Sequence, residues 1–234
     1  MQSEHTFKQY DTELESVRAK VLQMGGLVED QIGKAVKALA ESDVQLADDV
    51  IERDHEVNAL EVAIDEDCSH IIARRQPAAG DLRMIMMVVK TITDLERIGD
   101  EATKIARVAK RLHENDRITS PRFNEIRRMC DQVRGMLRIS LDAFARLDVS
   151  RTVEVARQDI QVDDDFRAVI RQLITFMLED PRTISLSLEV LFVAKAIERM
   201  GDHAKNIAEY VVYMVKGKDV RHIGINEMEK EALN

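Results

Sequence analysis

The sequence predicts an all-α protein, built as two tandem three-helix bundles with six long helices. Three observations support this fold class: the apolar composition, the scarcity of proline and a repeat that relates the two halves of the chain. The apolar residues, 45% of the 234, are chiefly Leu, Ile, Val, Ala and Met. Aromatic residues make up only 4% and Trp is absent, which suits helix packing better than a β-sandwich.

Proline marks the boundaries between the predicted helices, because it lacks an amide hydrogen and rarely lies inside a helix. The chain has three prolines, Pro77, Pro121 and Pro181, and the stretches between them show helical periodicity. Residues that favour helix starts occur at the junctions: Ser42 and Asp43, Asp81, Ser120 and Pro121, Ser150, and Asp180 and Pro181. The predicted helices lie near residues 6–40, 44–75, 80–112, 122–147, 150–179 and 184–216.

The second half of the chain repeats the first. The stretch LERIGD (Leu95–Asp100) has a near copy, IERMGD (Ile197–Asp202), and Pro77 aligns with Pro181. The offset between equivalent residues drifts only from 105 to 102, so the repeat is about 100 residues long. We therefore expect one three-helix unit in residues 1–115, a second in residues 122–216, and a loosely ordered tail in residues 217–234.

The repeated stretch carries two acids four residues apart and a glycine between them. Glu96 and Asp100 lie beside the apolar stripe of the third helix, and Glu198 and Asp202 lie equivalently on the sixth. Like charges at this spacing repel each other, and a glycine inside a helix costs about 1 kcal/mol relative to alanine. The pattern indicates either a bound cation or partner arginines opposite the acids; a pair kept only for packing remains an alternative.

The second helix of each unit adds a further spaced pair of oxygen-bearing side chains. If the second and third helices pack antiparallel, each unit gathers three or four such groups, which suits Mg²⁺, Mn²⁺, Fe or Zn²⁺. The candidate metal ligands are Asp54, Asn58, Glu96 and Asp100 in the first unit, and Asp159, Asp163, Glu198 and Asp202 in the second.

Other residues give weaker signals. Glu52 and His55 have the spacing used by ferritin-like di-iron bundles, but the second unit lacks an equivalent histidine. We expect His203 at the surface, and Lys90, Arg97, Glu101 and Lys104 on the solvated face of the third helix. The sequence has no Gly-rich phosphate loop and no GxSxG motif, so no catalytic residue is assigned.

Charge and hydropathy exclude several classes of protein. A net charge of −9 argues against binding to nucleic acid or to anionic lipid. The N-terminus lacks the apolar segment of a signal peptide, and the longest apolar run, Met84–Val89, is far shorter than a membrane span. We expect a cytoplasmic protein without direct membrane insertion.

Two longer stretches carry a resemblance to a known family. RRQPAAGDLRMIMMVVKTITDLERIGDEATKIA (Arg74–Ala106) and EDPRTISLSLEVLFVAKAIERMGDHAKNIAEYVVYMVKGKDVRH (Glu179–His222) resemble the PhoU family. That family regulates bacterial phosphate uptake together with the phosphate-specific ABC transporter. The resemblance covers both repeats, and the paired ER-hydrophobic-GD segments are its most specific feature.

The resemblance implies a negative regulator of phosphate uptake and of the phosphate-starvation response. It implies an adaptor that links the ATPase subunit of the transporter to a phosphate-sensing histidine kinase, and a homodimer that binds metal ions through E/DxxxD motifs. On this chain the motifs fall on the pairs at Glu96 and Glu198, and Asn58 departs from a strict acid pair. We therefore expect the first unit to hold fewer ions, or to hold them more weakly. The alternatives are a di-metal carboxylate enzyme and a purely structural helical adaptor.

Overall fold

The structure, a computed structural model, describes residues 8–114 and 123–233, which form seven α-helices and one turn of 3₁₀ helix. The predicted all-α fold is confirmed. The predicted cap at Ser120 and Pro121 lies outside the described residues. The elements are α1 (Lys8–Glu41), α2 (Val44–Arg75), α3 (Ala79–Glu114), α4 (Phe123–Arg146), α5 (Thr152–Glu179), the 3₁₀ turn (Pro181–Thr183), α6 (Ile184–Lys216) and α7 (Ile225–Leu233).

Local backbone and capping chemistry explains both ends of α2. A side-chain oxygen of Asp43 accepts a hydrogen bond from the amide of Leu46 and starts α2. Gln76 adopts a left-handed conformation (φ 48°) that ends α2, directly before Pro77. Ser150 differs from the prediction, because it donates to Asp148 in the turn before α5 and does not cap the helix.

The helices form two bundles, α1–α3 and α4–α6, which pack against each other. The α3–α6 contact is the most extensive between any two described elements, and α1 also contacts α4. Leu95 on α3 and Ile197 on α6 have no solvent exposure. The two units therefore share a broad interface, to which the helices carrying the repeated acid pairs contribute most.

The tail is the part of the fold that the sequence misjudged. Residues after Gly217 include α7, which packs against α5 and buries Val220, Met228 and Ala232. Arg157 on α5 donates to Glu229 at 2.8 Å. The expectation of a loosely ordered tail is wrong for residues 217–233, because tertiary packing stabilises a helix that is too short to be stable alone.

None of the helices in residues 8–114 and 123–233 has the length and apolar character needed to cross a membrane.

Candidate functional site

Gly99 marks a close approach of α1, α2 and α3 in the first unit. A Cβ atom at this position would lie 3.1 Å from Oε1 of Gln31 and 3.5 Å from Oδ1 of Asp54. The first of these distances is tighter than a normal contact, so a side chain here would force Gln31 to move. The expectation that a repeated glycine signals close approach is thus correct for the first unit.

The acids predicted in the first unit come together at this crossing. Burial raises the pKa of the Glu96 carboxyl, and the neighbouring charges of Asp100, Glu61 and Asp54 raise it further. The side chain of Asn58 is exposed and makes no hydrogen bond with any residue that the structure describes. Glu61 was not among the predicted ligands, although it stands four residues before Asp65 and so carries the same i,i+4 signal.

Gln31 is a second residue that the sequence did not reveal. Its side chain is only 5% exposed, and Nε2 points to Oδ1 of Asp54 at 3.4 Å. Its Oε1 atom is buried and has no hydrogen-bond partner among the described residues. The buried hydroxyl of Thr103, near the same acids in sequence, also lacks one. A buried polar atom without a partner normally costs about 1–3 kcal/mol.

The oxygen atoms gathered at this crossing are of the kinds that bind a cation. Carbonyl and carboxylate oxygens are the ligands that hard cations prefer, and an ion beside Asp54 would give Oε1 of Gln31 a partner. Within the described residues, however, no three His, Cys, Asp or Glu side chains already stand in an arrangement that could hold a metal ion. Metal binding by the acid pairs therefore stays a prediction.

The charges of the acids in the second unit also interact. Burial raises the pKa of Asp202, although part of its side chain stays at the surface. The negative charges of Glu198, Asp159 and Asp163 raise this pKa further. With Asp202, these are the four residues that the repeat predicted. Gly201 is less crowded than Gly99, because a Cβ there would meet Val133, Val162 and Met136 at ordinary distances of 3.5–3.7 Å.

Two acids of the second unit already form ion pairs with lysine side chains. The ammonium group of Lys205 lies 2.7 Å from Oδ2 of Asp159, which is buried. Lys195 donates to Glu198 at 2.6 Å. Partner arginines were expected from the sequence as the alternative to a bound cation, whereas the partners in this unit are two lysines of α6.

His203 and Asp94 form a buried contact between the bundles. The expectation that His203 lies at the surface is wrong: it is buried, and its Nδ1 atom lies 2.6 Å from Oδ1 of Asp94. Asn206 donates its amide to the same oxygen at 3.3 Å. Helix α3 packs against this face of α6, and this covers a position that would be half-exposed on an isolated bundle.

The expected exposure of Glu101 is also wrong. It was expected on the solvated face of α3, yet it is buried and pairs with Arg199 of the other unit at 2.9 Å and with Lys104 at 3.0 Å. Glu101 and His203 occupy equivalent positions in the two repeats. Each therefore makes a polar contact with the opposite unit.

A basic groove of about 400 Å³ lies beside this interface, between the second half of α3 and the first half of α6. Phe192, which is 62% exposed, lines it. Arg107 is exposed and has no ion pair with any described residue. The basic residues that line the groove are Lys104, Arg107, Arg111, Lys195 and Arg199. All of these except Arg107 form ion pairs with acidic side chains, so Arg107 is the basic residue of the groove that is left without an acid among the described residues.

Neither the acid pair nor the interface forms a recognisable catalytic arrangement. The Glu52 and His55 pair, which suggested a di-iron enzyme, is exposed on α2. The ring of His55 contacts the backbone carbonyl of Glu52, one turn earlier, at 2.5 Å. This local contact within one helix does not resemble the enclosed two-metal core of such bundles.

Known proteins are similar to this chain in both sequence and fold. The model of the PhoU domain matches residues 21–109 and 126–211. The phosphate-specific transport system accessory protein PhoU homolog of Pseudomonas putida is 51% identical over 97% of this chain and 88% of its own length. The accessory protein PhoU of Escherichia coli (strain K12) is 46% identical over 97% of this chain and 94% of its own length.

Two solved structures agree with this assignment. The crystal structure of PhoU from Pseudomonas aeruginosa matches with a TM-score of 0.86 and 48% identity, covering 89% of this chain and all of that chain. The phosphate transport system regulatory protein PhoU from Streptococcus pneumoniae matches with a TM-score of 0.82 and 30% identity, covering 90% of this chain and 99% of that chain. The two PhoU-domain matches fall on the two bundles, and the chain belongs to the PhoU family.

Proposed function

We propose that this protein is a non-enzymatic negative regulator of phosphate uptake and of the phosphate-starvation response. The observation that carries the proposal is the match of both bundles to the PhoU domain over nearly the whole chain. Relatives of high identity are named accessory proteins of the phosphate-specific transport system, and the Streptococcus pneumoniae relative is named a regulatory protein.

The proposed mechanism is that of a cytoplasmic adaptor, which acts as a homodimer. It binds the ATPase subunit of the phosphate transporter and a phosphate-sensing histidine kinase, and it prefers the conformation that each adopts when phosphate is plentiful. A preference of about 1.4 kcal/mol for one kinase conformation shifts the ratio of the two states tenfold. The net charge of −9 supports action through protein partners and not through DNA.

The basic groove is the surface that we propose for one of these partners. Its exposed Phe192 supplies an apolar anchor, and Arg107 has no acid partner among the described residues. An acidic segment of the partner with one apolar residue complements both features. Charge reversal in the Arg107→Glu variant then weakens co-purification of the partner. Arg171→Glu is a matched control, because Arg171 is also exposed and has no ion pair with a described residue.

We extend the proposal to metal ions, with Fe, Zn²⁺, Mg²⁺ and Mn²⁺ as candidates, bound by the repeated acid pairs. A bound cation neutralises carboxylates that otherwise repel one another, so its role here is structural. The unpartnered Oε1 of Gln31 supports this idea. The Asp100→Ala, Asp202→Ala double variant then loses bound metal and stays helical. Equal metal content in this variant and the wild type would refute the assignment.

The regulatory role is tested in cells. In a deletion strain grown at high phosphate, a reporter of a phosphate-starvation promoter is expected to stay active, and the wild-type chain restores repression. Normal repression in the deletion strain would rule out the proposed function. Tight binding of the purified protein to the promoter at physiological salt would rule out the indirect route.

A further inference from the structure

The predicted metal ligands of each unit form what we call an acid cluster: Asp54, Asn58, Glu96 and Asp100 in the first unit, and Asp159, Asp163, Glu198 and Asp202 in the second. The two clusters occupy equivalent places in the repeat, so they can be compared residue by residue. Gly99 is surrounded by Gln31, Asp54 and Val57, and Gly201 by Val133, Val162 and Met136. With the offset of 105 residues that relates the earlier helices, Val162 is the equivalent of Val57, and Met136 is the equivalent of Gln31. With the offset of 102 on α3 and α6, Lys205 is the equivalent of Thr103.

The first cluster contains a buried polar oxygen that lacks a partner. The Oε1 atom of Gln31 has no hydrogen-bond partner among the described residues, and neither has the buried hydroxyl of Thr103, one turn after Asp100 on α3. The amide nitrogen of Gln31 already faces Asp54, so the amide orientation leaves its oxygen as the free acceptor. A bound cation would give this oxygen a partner and would also neutralise the neighbouring carboxylates.

The second cluster has a positive charge in its own sequence. The ammonium group of Lys205 lies 2.7 Å from Oδ2 of Asp159, a residue only 6% exposed. The charge of Lys205 also acts on Asp202, one turn earlier on α6. Lys205 competes with a metal ion for this buried carboxylate, and its positive charge repels a second cation placed beside it.

The second cluster also lacks the amide oxygen that Gln31 supplies in the first. Met136 places a thioether methyl group near Gly201, where the first unit has the amide of Gln31. A thioether is a poor ligand for a hard cation. Both differences, at Lys205 and at Met136, disfavour a metal ion in the second unit and favour one in the first.

We infer that the two acid clusters are functionally different: the first binds a metal ion, and in the second Lys205 takes the place of that ion. This inference rests on the proposed binding of metal by the acid pairs and assigns it to one unit. It reverses the order expected from sequence, where Asn58 made the first unit the weaker site. Lys205 is thereby a residue that determines metal occupancy.

The test counts metal ions on the full-length purified protein. Chelator-treated protein is titrated with Mn²⁺ by calorimetry, and bound Mn²⁺ is counted by electron paramagnetic resonance. We expect about one tight ion per chain in the wild type, loss of that ion in Asp100→Ala, and retention in Asp202→Ala. Lys205→Thr, which copies Thr103, is expected to bind a second ion at least tenfold more tightly than the wild type does.

Two further variants guard against misfolding and against a general charge effect. Lys205→Met keeps the aliphatic length and removes the charge, so it is expected to gain the second ion even if Lys205→Thr is unstable. Lys216→Thr removes an exposed charge from the same helix and is expected to bind like the wild type. Circular dichroism confirms that each variant is folded.

Two equivalent ions in the wild type would overturn the inference and leave metal binding by the acid pairs intact. An unchanged second site in folded Lys205→Met would overturn it as well. Absence of any bound ion in the wild type would overturn both the inference and the proposed metal binding. The regulatory function would still be judged separately by the promoter reporter.

Discussion

The Nδ1 atom of His203 on α6 lies 2.6 Å from Oδ1 of Asp94 on α3, and this contact joins the two bundles. The side chains are only 10% and 4% exposed, respectively. The amide of Asn206 donates to the same oxygen, and burial together with the Asp94 charge raises the pKa of the nearby Tyr210 hydroxyl. A carboxylate at position 94 therefore satisfies several polar groups that are otherwise buried in an apolar interface.

Removal of this acceptor is expected to weaken the interface. We predict that Asp94→Ala lowers the free energy of unfolding by about 2–4 kcal/mol, because His203 and Asn206 lose their partner inside the protein. Urea denaturation measures the change. Glu52→Ala, at an exposed position on α2, is expected to change it by less than about 0.5 kcal/mol.

A double-mutant cycle separates the contact from the loss of packing. We predict a coupling energy of about 1 kcal/mol or more between Asp94→Ala and His203→Ala, because the two residues are in direct contact. Additive effects of the two substitutions would contradict a specific interaction between them.

The two arginines of the repeated motif are predicted to differ in importance. Arg199 reaches Glu101 of the other unit at 2.9 Å, whereas Arg97 is exposed and forms no ion pair with a described residue. We expect Arg199→Ala to destabilise the protein by about 1–2 kcal/mol, because Glu101 is buried and keeps only Lys104 as partner. Arg97→Ala is the matched control, and equal effects in thermal or urea unfolding would refute the prediction.

Gly99 and Gly26 are predicted to respond differently to substitution by alanine. Gly26 lies in α1 with no atom within 4 Å of a Cβ placed there, so Gly26→Ala is expected to stabilise the protein by up to about 1 kcal/mol. Gly99→Ala gains the same helix propensity but forces the Oε1 atom of Gln31 away from a distance of 3.1 Å. We expect no net gain there, and a clear loss for Gly99→Leu. A Gly99→Leu variant as stable as the wild type would show that the site is open.

Glu209 is predicted to make stability depend on pH. Burial raises its pKa from 4.5 to about 7, so between these values the folded protein binds more protons than the unfolded chain does. The stability contribution of this group is therefore lost as the pH rises through about 7. Glu209→Gln is expected to raise the free energy of unfolding relative to the wild type at pH 8 by roughly 1–3 kcal/mol. At pH 4 the two proteins are expected to differ little, and an equal difference at both pH values would contradict the assignment.

The helices and the repeat are readable from the sequence because the signals that define them are local. Proline positions and apolar periodicity depend on residues a few positions apart, and the predicted boundaries of α2 and α6 coincide with those in the structure. The same local geometry places Glu96 and Asp100, and their equivalents on α6, beside the apolar stripe. The family resemblance needed no further information, because the paired motifs lie within single helices.

Only the tertiary structure decided which residues at the edge of each stripe are buried. Glu101 and His203 lie at positions that a single bundle leaves half-exposed, and the packing of α3 against α6 covers them. Their partners are distant in sequence, with His203 and Asp94 109 positions apart, so no local pattern reveals the contact. The same holds for Lys205 and Asp159: spacing along a helix defines which face a side chain occupies, whereas its partner depends on the neighbouring helix that packing supplies.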